Sequence, residues 1–172
     1  MAEAEDTYLE KALEIVKEAG FLLVEALHKQ RDGMDAAQKG GADLIKQVEQ
    51  KVEQVIKNKL EFHFPTHEVM GKSAGEEEEG GKVDWDEATP TWILDPMDGS
   101  ANFLHRMPQV TISLALYEKG DTLVAIVYNP ITRELYTARR GKGAFKNGFR
   151  LKSSHQEQLG RSLVMGSGGV RG

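Results

Sequence analysis

The sequence predicts an α+β protein in which an N-terminal helical hairpin packs on a mostly antiparallel sheet. Three observations carry that prediction. The N-terminal segment repeats apolar residues at spacings of three and four. The stretch from Val110 to Gly148 alternates in twos between tight turns. Between them a short apolar run, Trp92-Ile93-Leu94, leads into the constrained segment Asp95-Pro96-Met97-Asp98-Gly99-Ser100.

Leu9, Leu13, Val16, Gly20, Leu23 and Leu27 recur at helical spacing between about Asp6 and Lys29, as one face of a long amphipathic helix requires. Gln30 to Gly41 is polar and punctuated by glycine, which predicts a loop. Asp43 is placed to cap a second helix, whose stripe is Leu44, Val48, Val52, Val55 and Ile56. Pro65 ends that region, and His67 to Gly71 reads as a short strand running into Lys72. Trp92-Ile93-Leu94 reads as a buried strand with Asp95 at its end, because Pro96 biases the residue before it toward an extended conformation. Gly99 permits a sharp turn, Ser100 and Asn102 suit the opening of a helix, and Phe103 to Met107 reads as a short helix stopped by Pro108.

Beyond Pro108, Val110, Ile112, Leu114 and Leu116 alternate with Thr111, Ser113, Ala115 and Tyr117, the pattern of a half-buried strand. Lys119-Gly120-Asp121 turns it into Leu123 to Tyr128, and Asn129-Pro130 turns that into Glu134 to Ala138. Asn147-Gly148 signals a type I′ hairpin, since both residues tolerate the positive φ that the turn needs. Gly141 and Gly143 sit inside this meander with no helix after them, so they read as strand glycines rather than a phosphate loop. Gly166 to Gly172 carries neither stripe nor alternation, which predicts a flexible glycine-rich tail after a single domain over residues 1–165.

The chain has 172 residues, 40% of them hydrophobic, enough for one domain with a substantial core. No apolar run is long enough to cross a bilayer, and the acidic start Met1 to Asp6 is unlike a secretory or transit peptide, so a cytoplasmic location is expected. The lack of cysteine excludes disulfides and thiolate metal sites. A net charge of −5 argues against general nucleic-acid or anionic-membrane partners. Arg139, Arg140, Lys142, Lys146, Arg150 and Lys152 make one stretch basic, but strand alternation spreads them over both faces as a solvated edge.

The chemistry concentrates at Asp95-Pro96-Met97-Asp98-Gly99-Ser100. A strand-turn-helix at this point brings the Asp95 and Asp98 carboxylates and the Met97 carbonyl toward one place, and three hard oxygens suit Mg²⁺. The backbone N–H groups after Gly99 would be unpaired at the helix start, which attracts anions, so Met97, Asp98, Gly99 and Ser100 are the candidate phosphate contacts. The plainer alternative is that Asp-Pro and Asp-Gly are ordinary turn dipeptides with solvated carboxylates. His105 has no paired carboxylate or hydroxyl nearby in sequence and reads as structural or solvated.

The stretch from Trp92 to Phe103 is similar to the Asp-Pro-x-Asp-Gly-Thr-x-Asn-Phe signature of the inositol monophosphatase family, the Mg²⁺-dependent, lithium-sensitive sugar-phosphate phosphatases. Tyr136 to Gly148 resembles a second family run, Tyr-x-Ala-x-x-Gly-x-Gly-Ala-x-x-Asn-Gly, so the resemblance extends from about Tyr8 to about Ser154. It implies the first part of a layered α-β-α-β-α sugar-phosphatase fold, and hydrolysis of inositol monophosphate or a related sugar phosphate. It also implies Mg²⁺ held by Asp95, Asp98 and the Met97 carbonyl, with phosphate received by Gly99 amides and the Ser100 hydroxyl.

Four departures from the family pattern bear on activity. Members commonly enter the second helix with Asp-x-Val-Thr-x-x-Asp, whose threonine and last aspartate help to hold the attacking water. This chain reads Asp43-Leu44-Ile45-Lys46-Gln47-Val48-Glu49. Glu49 keeps a carboxylate on a longer stem and, with Ser100, is the catalytic candidate, whereas Lys46 replaces a hydroxyl. Ser100 stands where threonine is usual. Lys72 stands where the first glutamate of the family's Gly-Glu-Glu-Ser bridges metals; an ammonium cannot ligate and competes for the same carboxylates. A shifted alignment through Glu76 to Glu79 could restore a carboxylate, although a solvated loop is the plainer reading. Finally, the family continues into a further α/β half that carries another metal-binding aspartate. The expectation is therefore a phosphatase-type protein whose activity in this chain alone is impaired. The alternative is a weak or inactive member acting as a homodimer, or as a heterodimer with a full-length relative; an unstable fragment with an exposed sheet edge is a third.

Overall fold

A computed structural model describes residues 2–32, 40–72, 86 and 88–162. Two long helices, α1 (Ala2–Asp32) and α2 (Gly41–His63), precede strands β1 (Glu68–Met70) and β2 (Thr91–Asp98). A one-turn helix, α3 (Ser100–Leu104), leads into a meander of β3 (Thr111–Glu118), β4 (Asp121–Asn129), β5 (Glu134–Arg139), β6 (Gly143–Lys146) and β7 (Phe149–Arg150), and a 3-10 turn follows at Leu159–Arg161. Among the described residues the strands form one seven-stranded sheet in sequence order. β1 pairs parallel to β2 and the other neighbours pair antiparallel, as expected for strands joined by short turns.

The helices bury their apolar stripes on one face of the sheet. Val16, Leu23, Val52, Ile56 and Leu60 meet Trp92, Ile112, Leu114, Leu116 and Ile126, all fully or almost fully buried. In α1 the most buried line runs through Ala12, Ile15 and Ala19 as well, while Leu9, Leu13 and Leu27 pack at its margin. Small residues lie where the helix crosses most closely. A Cβ at Gly20 would stand 2.8 Å from the Tyr128 ring, so glycine lets α1 settle onto β4.

β2 is two-faced rather than uniformly buried: Trp92 and Leu94 are buried, while Ile93 is 39% exposed on the opposite face. The strand also continues past Pro96 to Asp98, with its register against β3 slipping between Asp95 and Asp98. Such an irregularity tolerates the proline, which could not donate to a regular ladder. Trp92 anchors the parallel pair. Its ring stacks on Phe64 with centroids 5.5 Å apart, and its Nε1 donates to His67 Nδ1 at 3.1 Å. Burial pushes the His67 imidazole below its usual pKa, with a smaller opposing pull from Glu118.

Helix ends depart from expectation at two places. Gly40, at φ 96°, is the N-cap of α2 and no side chain caps it. Asp43 lies instead in the first turn, where its charge complements the helix dipole. The short helix begins at Ser100 and ends by Leu104, earlier than Phe103 to Met107, because Arg106 takes φ 57° and turns the chain before Pro108 is reached. The hairpin at Asn147-Gly148 has φ 48° and 82°, as a type I′ turn needs. Asn147 Oδ1 also accepts from the Leu135 N–H at 2.8 Å, which ties the turn to β5. Of the basic stretch, Arg139 pairs with Asp6 of α1, Arg140 with Asp121, and Lys146 with Glu134. None of the described helices is long and apolar enough to cross a membrane. Glu76 to Glu79 and the glycine-rich end lie outside the described residues.

Candidate functional site

The end of β2 is the meeting point of three segments. β2 delivers Asp95, Met97 and Asp98, and the turn at Gly99 delivers Ser100 at the start of α3. α2 crosses this end with Glu49, and the chain leaving β1 brings Lys72, because β1 lies parallel beside β2. The sequence separates these residues widely, and only the fold joins them.

Gly99 adopts φ 89°, and a Cβ there would lie 2.5 Å from the Gln109 backbone oxygen. Glycine is thus required by conformation and by space. Asn102 Nδ2 donates to that same Gln109 oxygen at 2.8 Å, closing the turn against the approach to β3. Ser100 Oγ then stands 3.2 Å from Glu49 Oε1 and 3.5 Å from the Met97 carbonyl oxygen. One hydroxyl proton serves one acceptor at a time, and the shorter contact, to the carboxylate, is the stronger. Glu49 Oε1 also accepts from Lys72 Nζ at 2.9 Å. The Glu49 side chain is 13% exposed and the Lys72 side chain 47%, so the ammonium reaches the carboxylate from the solvent side.

Asp95 is half-buried, and its Oδ1 accepts the Met97 N–H at 3.2 Å. Burial pushes its carboxyl above the usual aspartate range. The Met97 N–H opposes this, Asp98 adds to it, Lys72 opposes and Glu49 adds. Glu49, Asp95, Asp98 and Lys72 therefore share one electrostatic neighbourhood, although Asp98 itself is exposed. The register slip between Asp95 and Asp98 takes Pro96 and Met97 out of the regular ladder, which leaves the Met97 carbonyl available near Ser100.

Two residues of this corner escape sequence reasoning. Glu53 is buried one turn along α2 from Glu49, and Gly71 passes directly over it. A Cβ on Gly71 would lie 2.5 Å from the Glu53 Cδ, so glycine permits the close approach that positions Lys72. The available signal was the helical spacing of Glu49 and Glu53 on an otherwise apolar stripe. Beside the Lys72–Glu49 pair a cavity of about 250 Å³ opens, lined by Lys46, Gln50 and Glu53 among others.

Asp95 and Asp98 with the Met97 carbonyl are a hard-oxygen donor set that fits one Mg²⁺ whose shell is completed by water. A cluster of three or more acidic or histidine side chains able to cage a metal is absent among the described residues. Glu49, the nearest further carboxylate, is engaged by Ser100 and Lys72.

Comparison with known proteins agrees with the geometry. The inositol monophosphatase family matches residues 4–171. The Nus factor SuhB of Escherichia coli is 34% identical over 153 residues, covering 89% of this chain and 55% of that protein. Inositol monophosphatase 1 of Solanum lycopersicum is 37% identical over 160 residues, covering 92% of this chain and 56% of that protein. The crystal structure of the extragenic suppressor protein suhB from Bartonella henselae superposes with a TM-score of 0.70 at 30% identity, covering 89% of this chain and 56% of that one. The chain thus spans a little over half the length of the relatives it matches. With the family matching residues 4–171 and a two-helix, mostly antiparallel-sheet fold that superposes on a solved relative over 89% of its length, this chain belongs to the inositol monophosphatase family.

Proposed function

We propose that the chain is a Mg²⁺-dependent phosphomonoesterase-type protein acting on inositol monophosphate or a related sugar phosphate. The observation that carries this reading is the Ser100 Oγ to Glu49 Oε1 hydrogen bond of 3.2 Å beside Asp95 and Asp98. Mg²⁺ would be held by Asp95, Asp98 and the Met97 carbonyl, and when bound it supplies Lewis-acid polarisation of the phosphoryl oxygens. The protein's own groups do the positioning. Glu49 accepts the Ser100 O–H, which leaves the Ser100 lone pairs to accept a hydrogen bond from a water and orient it. The backbone N–H groups that follow Gly99 at the start of α3 would meet the phosphate, and the Ser100 hydroxyl sits at the same turn. Glu49, 3.2 Å from Ser100 Oγ, is the carboxylate that would accept the proton of a water held at this corner.

The test is phosphate release from inositol monophosphate with and without millimolar Mg²⁺. Mg²⁺-stimulated release that is lost in Asp98→Asn supports the proposal; release no greater than a protein-free blank overturns it. A second reading is a weakly active member that works by pairing with itself or with a full-length relative. Two observations favour it: Lys72 engages Glu49, and one relative carries the name of a Nus factor rather than of an enzyme. Light scattering alone and with a full-length relative distinguishes the two, since a strictly monomeric chain that never co-elutes excludes pairing.

A further inference from the structure

We propose that Lys72 is a built-in cation of the carboxylate corner, and that it limits the corner to one divalent ion. The inference rests on the metal-site reading above and specifies its stoichiometry. Ser100 Oγ lies between Glu49 and the carbonyl of Met97, which stands between Asp95 and Asp98 on β2, and the Lys72 ammonium is 2.9 Å from Glu49 Oε1. Carboxylates gathered at one corner repel one another, and a positive group beside them relieves that repulsion. Lys72 is that group at Glu49, leaving Asp95, Asp98 and the Met97 carbonyl for the ion.

The backbone is shaped to place this ammonium. Gly71 passes so close to the Glu53 side chain that a Cβ there would require that side chain to shift, and the next residue along is Lys72. Both hydrogen bonds fall on Glu49 Oε1, and the ammonium beside it repels a cation that would approach the same carboxylate. Lys72 therefore acts through Glu49 as a positioning residue, excluding a second ion and holding Glu49 toward Ser100. Its side chain is about half exposed, so its influence is expected to weaken with rising salt.

The experiment is a Mn²⁺ titration of the full chain, with free Mn²⁺ read by electron paramagnetic resonance, in the parent, Lys72→Met, Lys72→Gln, Lys72→Arg, the surface control Lys29→Met, and Asp98→Asn. The parent is expected to bind one ion. Lys72→Met and Lys72→Gln are expected to bind a second ion at low salt, whereas one ion bound more tightly would overturn the limit on stoichiometry. Lys72→Arg and Lys29→Met are expected to titrate as the parent does. A merely structural lysine would not divide the variants by charge in this way. Using two neutral variants, each checked by thermal melting, prevents one misfolded protein from deciding the result. Parent-like titration by the folded neutral variants, or two ions in the parent, overturns the inference. If Asp98→Asn abolishes binding while the neutral variants match the parent, only the role of Lys72 falls. If no variant binds Mn²⁺, the metal-site reading falls with it.

Discussion

Replacing Gly99 by alanine tests whether the turn that carries Asp98 into Ser100 depends on the absence of a side chain. Two separable costs apply. At φ 89° an L-residue is strained by about 1–2 kcal/mol. The new Cβ would also lie 2.5 Å from the Gln109 backbone oxygen, and backbone on the approach to β3 cannot swing aside as a flexible side chain could. Forcing a methyl into such a contact costs about 1–3 kcal/mol. The expected total is about 2–5 kcal/mol, against a total stability of roughly 5–15 kcal/mol for an ordinary domain. With a urea m-value of about 2 kcal/mol/M, the unfolding midpoint should fall by roughly 1–2.5 M without a change of slope. Gly148→Ala supplies the comparison, because φ there is 82° but nothing lies within 4 Å of a built Cβ. It should pay only the conformational cost of about 1–2 kcal/mol. If Gly99→Ala is no more destabilising than Gly148→Ala, the close packing of the turn against Gln109 is not what demands glycine, and the reasoning fails.

Other perturbations probe the core, the buried histidine and the site. Ile56→Ala, at a fully buried position between α2 and the sheet, should cost about 2–5 kcal/mol in urea unfolding; a loss below about 0.5 kcal/mol would be that of a surface site. His67 has a folded pKa below its usual 6.5, so the folded state binds fewer protons than the unfolded chain as pH falls through that value. Its contribution is present above pH 6.5 and is lost progressively as pH drops toward the folded pKa. The melting temperature should therefore fall more steeply between neutral and mildly acidic pH in the parent than in His67→Gln; parallel profiles would contradict it. Ser100→Ala removes the hydroxyl that Glu49 holds. Phosphate release should drop about a hundredfold, while the urea midpoint moves little. Undiminished release would take Ser100 out of the mechanism.

Much of the fold was legible because its signals are local. The periods of 3.6 and 2 that mark α2 and β3 arise from the geometry of single elements, and the stripe Val48, Val52 and Ile56 is buried as that period requires. Asn147-Gly148 specified its own turn through the φ values that the two residues tolerate. The misread helix ends are also informative. Asp43 had the chemistry of a cap, but Gly40 holds the N-cap position and Asp43 lies three residues further on. Arg106 gave no sign of its positive φ, since arginine does not favour that region. In α1 the stripe included Val16, Gly20 and Leu23 of the buried line but passed over Ala12, Ile15 and Ala19, which share it.

For the corner at β2, the sequence alone determined the chemical inventory: two aspartates about a proline, a glycine that frees the turn, a hydroxyl after it, and a family signature around them. Tertiary structure decided the partnerships. Glu49 reaches Ser100 from 51 residues away, and Lys72 reaches Glu49 from 23 residues away. Residue type and spacing report local conformation, but such contacts exist only once α2 has crossed the end of β2 and β1 has paired alongside it. Whether a carboxylate is a free ligand or an ammonium's partner depends on separations of a few ångström, because electrostatic interaction in a half-buried site changes steeply over that range. The same physics makes Lys72, which the family resemblance set near Asp95 and Asp98, a direct partner of Glu49.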